Sequence, residues 1–163
     1  MEIKCIDWEI SNRVKVKDIM TKEVVFVDPE TSMLKVAEIL IENRFHSVPV
    51  VSEGRVVGIV TETDFFDKKS GHLYLPTYIN VLEETGVRDN LPADKKRELS
   101  ALKEMKVRDI MTTGCLTVNP EMQLSQLVDM FKKTAFHSFA VTDKKSSLQG
   151  IVTLYDIVSL IKI

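Results

Sequence analysis

The residue types best suited to chemistry lie in two short segments that share one pattern, a Thr followed three residues later by an Asp. The two pairs are Thr61 with Asp64, and Thr153 with Asp156. A carboxylate has two oxygens and can accept both hydroxyls of a ribose. The threonine hydroxyl can reach ribose or phosphate, and the free N–H groups at a helix start favour an anion. The same spacing is also a helix capping box, so ligand binding and helix capping both stay open.

Two further segments occur twice in the chain. Asp-Ile-Met-Thr occupies 18–21 and 109–112, and Phe-His-Ser occupies 45–47 and 136–138. A histidine at the start of a buried strand is usually packed and hydrogen-bonded, but His46 and His137 could instead face a cleft and contact phosphate. We expect no metal site, because no nearby cysteine, aspartate or second histidine completes a coordination sphere.

No motif of a known catalytic site stands out. The sequence has no G-x-x-x-x-G-K-[ST] phosphate loop, no G-x-G-x-x-G turn, no G-x-S-x-G elbow and no CxxC. No carboxylate pair is placed as general acid and base. We therefore expect no enzyme.

Composition limits the partners. The 163 residues are 44% apolar and 28% charged, with a net charge of −2, which is typical of a soluble globular protein and argues against nucleic acid. No apolar run approaches the roughly 18 residues that span a bilayer, and the N-terminal residues lack the apolar centre of a secretion signal. We therefore expect no membrane partner. Cys5 and Cys115 form no disulfide framework, so we expect the protein to act in a reducing cytoplasm.

An internal repeat organises the chain. Residues 16–51 align without gaps to residues 107–142, and twelve of the 36 positions are identical. Chance would give about two or three. At an offset of 92, GIVTETD (58–64) then matches GIVTLYD (150–156) at five of seven positions. The chain contains a duplication.

Each copy is predicted to fold as strand, helix, strand, strand, helix. In the first copy the elements are strand 24–27, a helix capped by Thr31 or Ser32 with apolar Met33, Val36, Ala37, Leu40 and Ile41, strands 47–51 and 55–60 joined by a turn at 52–54, and a helix from Thr61 through Phe65 and Phe66. In the second copy they are 115–118, 124–133, 138–142, 148–152 and 153–161.

The predicted fold class is α/β in the mixed α+β sense. Two β-α-β-β-α repeats, within residues 1–68 and 107–163, are expected to pack sheet to sheet with pseudo-two-fold symmetry, because about 50 residues bury too little apolar surface alone. Between them, residues 69–106 are predicted to form a helical insertion, with one helix from near Pro76 to Gly86 and another from near Pro92 to Met105.

The combined motifs resemble a known family. VKDIMT, FHSVPVV and GRVVGIVTETD, with their second copies, resemble the cystathionine-β-synthase (CBS) domain, and the two copies resemble a CBS pair, or Bateman module, over about 125 of the 163 residues. The resemblance implies clefts that bind AMP, ADP, ATP or S-adenosylmethionine. It also implies a regulatory role toward another protein and assembly as a flat dimer.

The resemblance also assigns site residues. It implies that Asp64 and Asp156 bind ribose, with Thr61 and Thr153 as the accompanying hydroxyls. The base pocket matches Thr21 and Val25 in one repeat and Thr112 and Cys115 in the other, and the remaining contacts match Phe45, His46, Phe136 and His137. A cleft typically joins the Asp of one repeat to the base pocket of the other.

Two departures from the family pattern bear on the ligand. Members that grip di- and triphosphates often carry Arg after the histidine, where this chain has Ser47 and Ser138, and Ala140 replaces Pro49 in the second copy. We therefore expect a non-catalytic sensor that prefers AMP, needs no cofactor, forms a homodimer and acts on an unknown protein of another chain. The alternative is a dimerisation or protein-interaction module that holds no ligand.

Overall fold

The structure is a computed structural model that describes residues 13–65, 93, 97, 100, 104–114, 117–134 and 136–160. The helices with described bounds are α1 (Val16–Ile19), α2 (Met33–Asn43), α3 (Val107–Ile110), α4 (Leu124–Lys133) and α5 (Leu154–Val158). The strands are β1 (Ser47–Ser52), β2 (Arg55–Thr61), β3 (Thr112–Thr113), β4 (Thr117–Val118), β5 (Ser138–Thr142) and β6 (Leu148–Thr153). They form two three-stranded sheets, ordered β1-β2-β3 and β4-β5-β6, which confirms the mixed α+β class.

The chain divides into two compact units that cut across the repeats. Unit 1 contains residues 1–25, 53–57 and 114–163, and unit 2 contains residues 26–52 and 58–113. Unit 1 therefore joins α1 of the first copy to the sheet and helices of the second. Unit 2 joins α3 and β3 of the second copy to the first.

In unit 2, α2 begins as predicted. Ser32 is its N-cap and accepts a hydrogen bond from the Lys35 N–H at 3.2 Å. The predicted apolar positions Met33, Val36, Ala37 and Leu40 are buried. Ile41 is 65% exposed, so its placement in the core is wrong. It lies roughly a quarter turn from the centre of the buried stripe, because successive helix residues are about 100° apart.

The hairpin of β1 and β2 also follows the prediction. Glu53 and Gly54 both have positive φ, 49° and 76°, as a two-residue turn with the twist of a hairpin requires. The strand predicted at 24–27 is shorter. Only Val27 pairs, parallel to Val50, with its N–H donating to the Pro49 carbonyl at 3.0 Å.

The third strand of this sheet comes from the other copy and has no counterpart in the sequence prediction. In β3, Thr112 pairs with Ile59 and Thr113 with Gly58, antiparallel. Gly58 permits this close approach, since a Cβ there would lie 2.9 Å from the Met111 sulfur. The Asp-Ile-Met-Thr segment of one copy is thereby attached to the Gly-Ile-Val-Thr strand of the other.

Unit 1 repeats this plan. β4 runs parallel to β5, which pairs antiparallel with β6, and Thr21 bridges Ile151 at the outer side of β6. α4 has the predicted bounds. Residues 115 and 116 of the predicted strand lie outside the described residues. The core of unit 1 contains Val16, Val118, Leu124, Leu127, Phe131, Phe139, Val141 and Val152.

The last element of each copy begins where the sequence predicts. After Thr61 the described residues form a 3-10 turn, Glu62–Phe65, and α5 has five residues, fewer than the helix predicted over 153–161. The expected homodimer requires apolar helix faces that include Phe65 and Phe66, but Phe65 is buried, so that prediction is wrong for Phe65. Phe66 and Ile161 lie outside the described residues.

Little of the predicted insertion is described. Ala93, Arg97, Ser100 and Glu104 are helical and exposed, in agreement with a helix that follows Pro92. The helix predicted from Pro76 to Gly86 lies outside the described residues.

Candidate functional site

In unit 2, the carboxylate of Asp64 is held at the end of β2. Its Oδ2 accepts hydrogen bonds from the backbone N–H of Thr61 at 2.8 Å and from the Thr61 hydroxyl at 2.9 Å. Asp64 is only 6% exposed, and these hydrogen bonds provide the partners that a buried carboxylate needs. The predicted Thr-x-x-Asp pairing therefore exists as a local hydrogen-bonded unit.

The second oxygen of Asp64 meets the other repeat. The Thr112 hydroxyl donates to Asp64 Oδ1 at 3.1 Å, because the pairing of β3 with β2 carries Thr112 to this point. Two residues predicted to share a site, the ribose Asp of one copy and a base-pocket Thr of the other, thus lie in direct contact.

In unit 1, Asp156 forms the capping box that the pattern predicts. Its Oδ2 accepts from the Thr153 N–H at 2.7 Å and from the Thr153 hydroxyl at 2.8 Å. Its own N–H donates to the Thr153 hydroxyl oxygen at 3.3 Å. Oδ1 accepts no hydrogen bond from the part of the chain that the structure describes. Among the described residues, the capping box therefore uses only one of the two oxygens.

The threonine equivalent to Thr112 has the same strand pairing but a different side-chain contact. Thr21 exchanges two backbone hydrogen bonds with Ile151, at 2.9 and 3.0 Å, and is exposed. No hydrogen bond joins its hydroxyl to Asp156 among the described residues. The two candidate sites therefore have equivalent backbone pairing, but only the Asp64 site has a hydrogen bond from this threonine hydroxyl to the aspartate.

The helix dipole contributes little at Asp156, because the five-residue α5 aligns few peptide dipoles.

The two histidines lie beside the aspartate segments of their own copies. The His46 carbonyl accepts the Glu62 N–H at 3.3 Å, and the His137 carbonyl accepts the Leu154 N–H at 3.1 Å. His46 is not a packed core residue, since its side chain is 80% exposed. Its Nδ1 lies 3.1 Å from Oε2 of Glu62. His137 is exposed as well.

The remaining predicted site residues have mixed environments. Phe45 and Val25 are 37% and 42% exposed. Phe136 is partly buried and packs edge-on against Phe139, with ring centroids 6.1 Å apart. Cys115 lies outside the described residues.

Two aspartates of the Asp-Ile-Met-Thr segments are structural. Asp18 accepts the Lys15 N–H at 2.9 Å, and Asp109 accepts the Lys106 N–H at 2.8 Å, each closing the first turn of its own short helix. The three-residue spacing to these aspartates was the available signal for α1 and α3, neither of which the sequence prediction includes.

Ion pairs attach these short helices to the opposite copy. In unit 1, Lys15 and Lys17 donate to the two carboxylate oxygens of Glu121 at 2.6 and 2.5 Å. The hydrogen bonds from Lys15 and then Lys17 lower the pKa of Glu121 to about 2. In unit 2, Arg108 pairs with Glu30 in the equivalent place.

Metal-binding clusters and membrane-spanning helices are both absent from the described residues. No group of three or more His, Cys, Asp or Glu residues is arranged to hold a metal ion. No described helix combines the length and the apolar character needed to cross a membrane.

Known proteins resemble the chain over most of its length. It is 25% identical over 155 residues to the uncharacterised protein MJ1225 of Methanocaldococcus jannaschii, which covers 95% of this chain and half of that protein. In structure it resembles CBSX2 of Arabidopsis thaliana, solved in complex with AMP, at 24% identity and a TM-score of 0.65, with 90% of this chain and 94% of that chain covered. It also resembles the CBS domain pair of protein MJ0100, solved with 5′-methylthioadenosine and S-adenosyl-L-methionine, at 23% identity and a TM-score of 0.63, with 90% and 94% covered.

The structural likenesses agree with the architecture described above, two small sheets with their helices. The sequence profile of the CBS domain matches the chain twice, at residues 16–71 and 107–163, which contain both Gly-Ile-Val-Thr-x-x-Asp segments. Because these two matches span more than half of its length, the chain belongs to the CBS domain family.

Proposed function

We propose that this chain is a non-catalytic regulatory module that binds an adenosine-containing ligand, AMP in the first place, and signals to a protein of another chain. The observation that carries the proposal is the carboxylate of Asp156. Thr153 fixes one of its oxygens, and the other has no partner among the described residues. A fixed carboxylate with a spare oxygen is the acceptor that a ribose hydroxyl needs.

Relatives support the ligand class. CBSX2 was crystallised with AMP, and the CBS pair of MJ0100 with 5′-methylthioadenosine and S-adenosyl-L-methionine. These three ligands share an adenosine core and differ beyond its 5′ carbon. The proposed contacts through Asp64 and Asp156 address the shared ribose.

The phosphate contacts favour AMP over ATP. Ser47 and Ser138 follow the two histidines, where an arginine would offer a planar fork of donors to further phosphates. The exposed rings of His46 and His137 can each contact a single phosphate.

The two cysteines fit a module that acts in the reducing cytoplasm.

Calorimetry of AMP binding to the full chain tests the proposal, with Asp156→Asn and Asp64→Asn as variants. Asparagine keeps one carbonyl oxygen for the Thr153 N–H, so Asp156→Asn should change the ligand-free melting temperature little. Asp64→Asn should lower it more, because both oxygens of the buried Asp64 accept hydrogen bonds. Loss of a charge-assisted hydrogen bond of roughly 1.5–3 kcal/mol should weaken binding about 10- to 150-fold at the altered site.

Asp18→Asn is the matched control, because Asp18 also accepts a backbone N–H three residues before it but has no assigned ligand contact. It should leave the AMP affinity unchanged. If both site variants and the double variant keep the wild-type affinity, Thr61 with Asp64 and Thr153 with Asp156 are caps only.

A second candidate function, a dimerisation module without a ligand, is favoured by one observation. Tyr155 and Val158 on α5 are 78% and 58% exposed, and Leu160 just beyond it is 38% exposed. Large apolar side chains that cluster at a surface commonly mark an interface. We therefore expect a homodimer in either case, and light scattering that gives the monomer mass at micromolar concentration, with and without AMP, would contradict it.

A further inference from the structure

The two candidate sites are copies in sequence but not in hydrogen bonding. At Asp64, Oδ2 accepts from Thr61 and Oδ1 accepts from Thr112 at 3.1 Å, so both carboxylate oxygens are engaged. At Asp156, Oδ2 accepts from Thr153, and no described residue donates to Oδ1. A ribose hydroxyl can donate to Oδ1 of Asp156 directly. At Asp64, which is only 6% exposed, it must compete with the Thr112 hydroxyl for Oδ1.

The difference arises where the two repeats meet within each unit. Thr112 and Thr21 hold equivalent places, paired with Ile59 and Ile151. The hydroxyl of Thr112 reaches its carboxylate, whereas that of Thr21 does not. Thr112 is partly buried and Thr21 is exposed, and Asp64 is likewise more buried than Asp156.

Charge beside the histidines adds a second difference. Oε2 of Glu62 lies 3.1 Å from Nδ1 of His46, and the residue equivalent to Glu62 in the second copy is Leu154. A phosphate that approaches His46 meets a carboxylate already paired with the ring. A phosphate that approaches His137 meets an apolar side chain at the corresponding position.

From these two differences we infer that the two sites have unequal affinity for a phosphorylated adenosine. The Asp156 site binds it more tightly, because Thr112 and Glu62 lower the affinity of the Asp64 site. This inference rests on the proposed function of the same sites. Displacing a hydrogen bond to a charged group predicts a gap of about tenfold or more between the two binding constants.

Calorimetry with AMP on the full chain measures the gap. The wild type should show two binding events about tenfold or more apart. Asp156→Asn should remove or weaken the tighter event, and Asp64→Asn the weaker one. Two equal events, or loss of the tighter event in Asp64→Asn, would overturn the inference.

Variants that release the Asp64 site test the cause. Thr112→Val removes only the hydroxyl and keeps the β-branched shape, and Glu62→Gln removes only the charge. Each should tighten the weaker event several-fold and leave the tighter event unchanged. The converse change, Leu154→Glu, should weaken the tighter event.

Glu38→Gln is the control for charge. Glu38 is exposed on α2 and pairs with Lys35, away from both aspartates along the chain, so the same loss of charge there should leave both events unchanged. If Thr112→Val instead weakens the second event, Thr112 orients Asp64 for the ligand, and the inference is wrong.

The outcomes separate this inference from the proposed function. If the wild type binds no AMP, both fail. If AMP binds at two equal sites that both depend on their aspartates, the proposed function holds and only the inequality fails.

Discussion

A carboxylate has two oxygens, and Asp156 uses only one of them to complete its capping box. Capping and ligand binding are therefore compatible at this residue. At Asp18 and Asp109 the same spacing closes the first turn of a short helix beside a sheet of the other copy. The residues around each aspartate, rather than the three-residue spacing, distinguish a candidate site from a cap.

Glu121 is a residue whose protonation should affect stability. Its pKa is lowered to about 2 by hydrogen bonds from Lys15 and Lys17, so its carboxylate stabilises the folded state above about pH 4.5, and this contribution is lost as the pH falls toward 2. Glu121→Gln should lower the melting temperature at pH 7. The difference in melting temperature between Glu121→Gln and the wild type should shrink steadily as the pH falls from about 4.5 to 2.

The effect is expected to be small because the three side chains are exposed and screened by solvent. Thermal melts at pH 7, 4 and 2 measure it. Glu23→Gln, which removes an exposed carboxylate elsewhere in the same unit, is the control and should leave the melting temperature at pH 7 unchanged. A difference between Glu121→Gln and the wild type that is constant with pH would rule out this ion pair as the cause.

At the scale of elements, Gly58 and Gly150 each allow their strand to lie close to the Asp-Ile-Met-Thr segment of the other copy. A Cβ at Gly150 would lie 2.7 Å from the Met20 sulfur and 2.9 Å from the Thr21 carbonyl oxygen. The methionine side chain can move, but the carbonyl belongs to the bridge between Thr21 and Ile151. The glycine of the Gly-Ile-Val-Thr motif thus serves the contact between copies.

Gly150→Ala should therefore destabilise the protein by about 1–3 kcal/mol, the usual cost of overpacking a tight contact. Chemical denaturation measures the free energy of unfolding. Gln149→Ala, at the exposed neighbouring position of β6, is the control and should change it little. A Gly150→Ala variant as stable as the wild type would show that the segment at Thr21 moves away at no cost.

At the scale of the whole molecule, neither repeat contains all the parts of a unit. Unit 1 takes Val16 and Thr21 from the first copy, and Val16 is fully buried in a core otherwise built from the second copy. Unit 2 takes Val107 and β3 from the second copy in the same way. The folding unit is therefore the pair of repeats.

A fragment of residues 107–163 should consequently fail to fold, because it lacks α1 and the Thr21 bridge that complete its core and sheet. Circular dichroism should show little regular structure and no cooperative melting. The full chain, measured in parallel, should melt cooperatively. A cooperative transition in the fragment would contradict the prediction.

The order of elements could be predicted because it depends on local signals. The apolar spacing of α4, the Ser32 cap, and the Glu53-Gly54 turn are each decided by neighbouring residues. Where the local signal was ambiguous, the prediction failed in part. Val27 alone pairs in the strand expected at 24–27, and Ile41 lies outside the buried face.

The sequence by itself determined the duplication, the membership suggested by its motifs and most strand and helix positions, because repeats and short-range periodicity are written along the chain. The tertiary structure decided which copy completes which sheet, that Thr112 contacts Asp64, and that Asp156 retains an oxygen without a partner among the described residues. These features depend on contacts between segments about 50 to 130 residues apart, such as Thr112 with Asp64 and Thr21 with Ile151. Such contacts cannot be predicted from two identical motifs. Their side chains differ in their neighbours only in the folded protein, where each copy contributes segments to the sheet of the other.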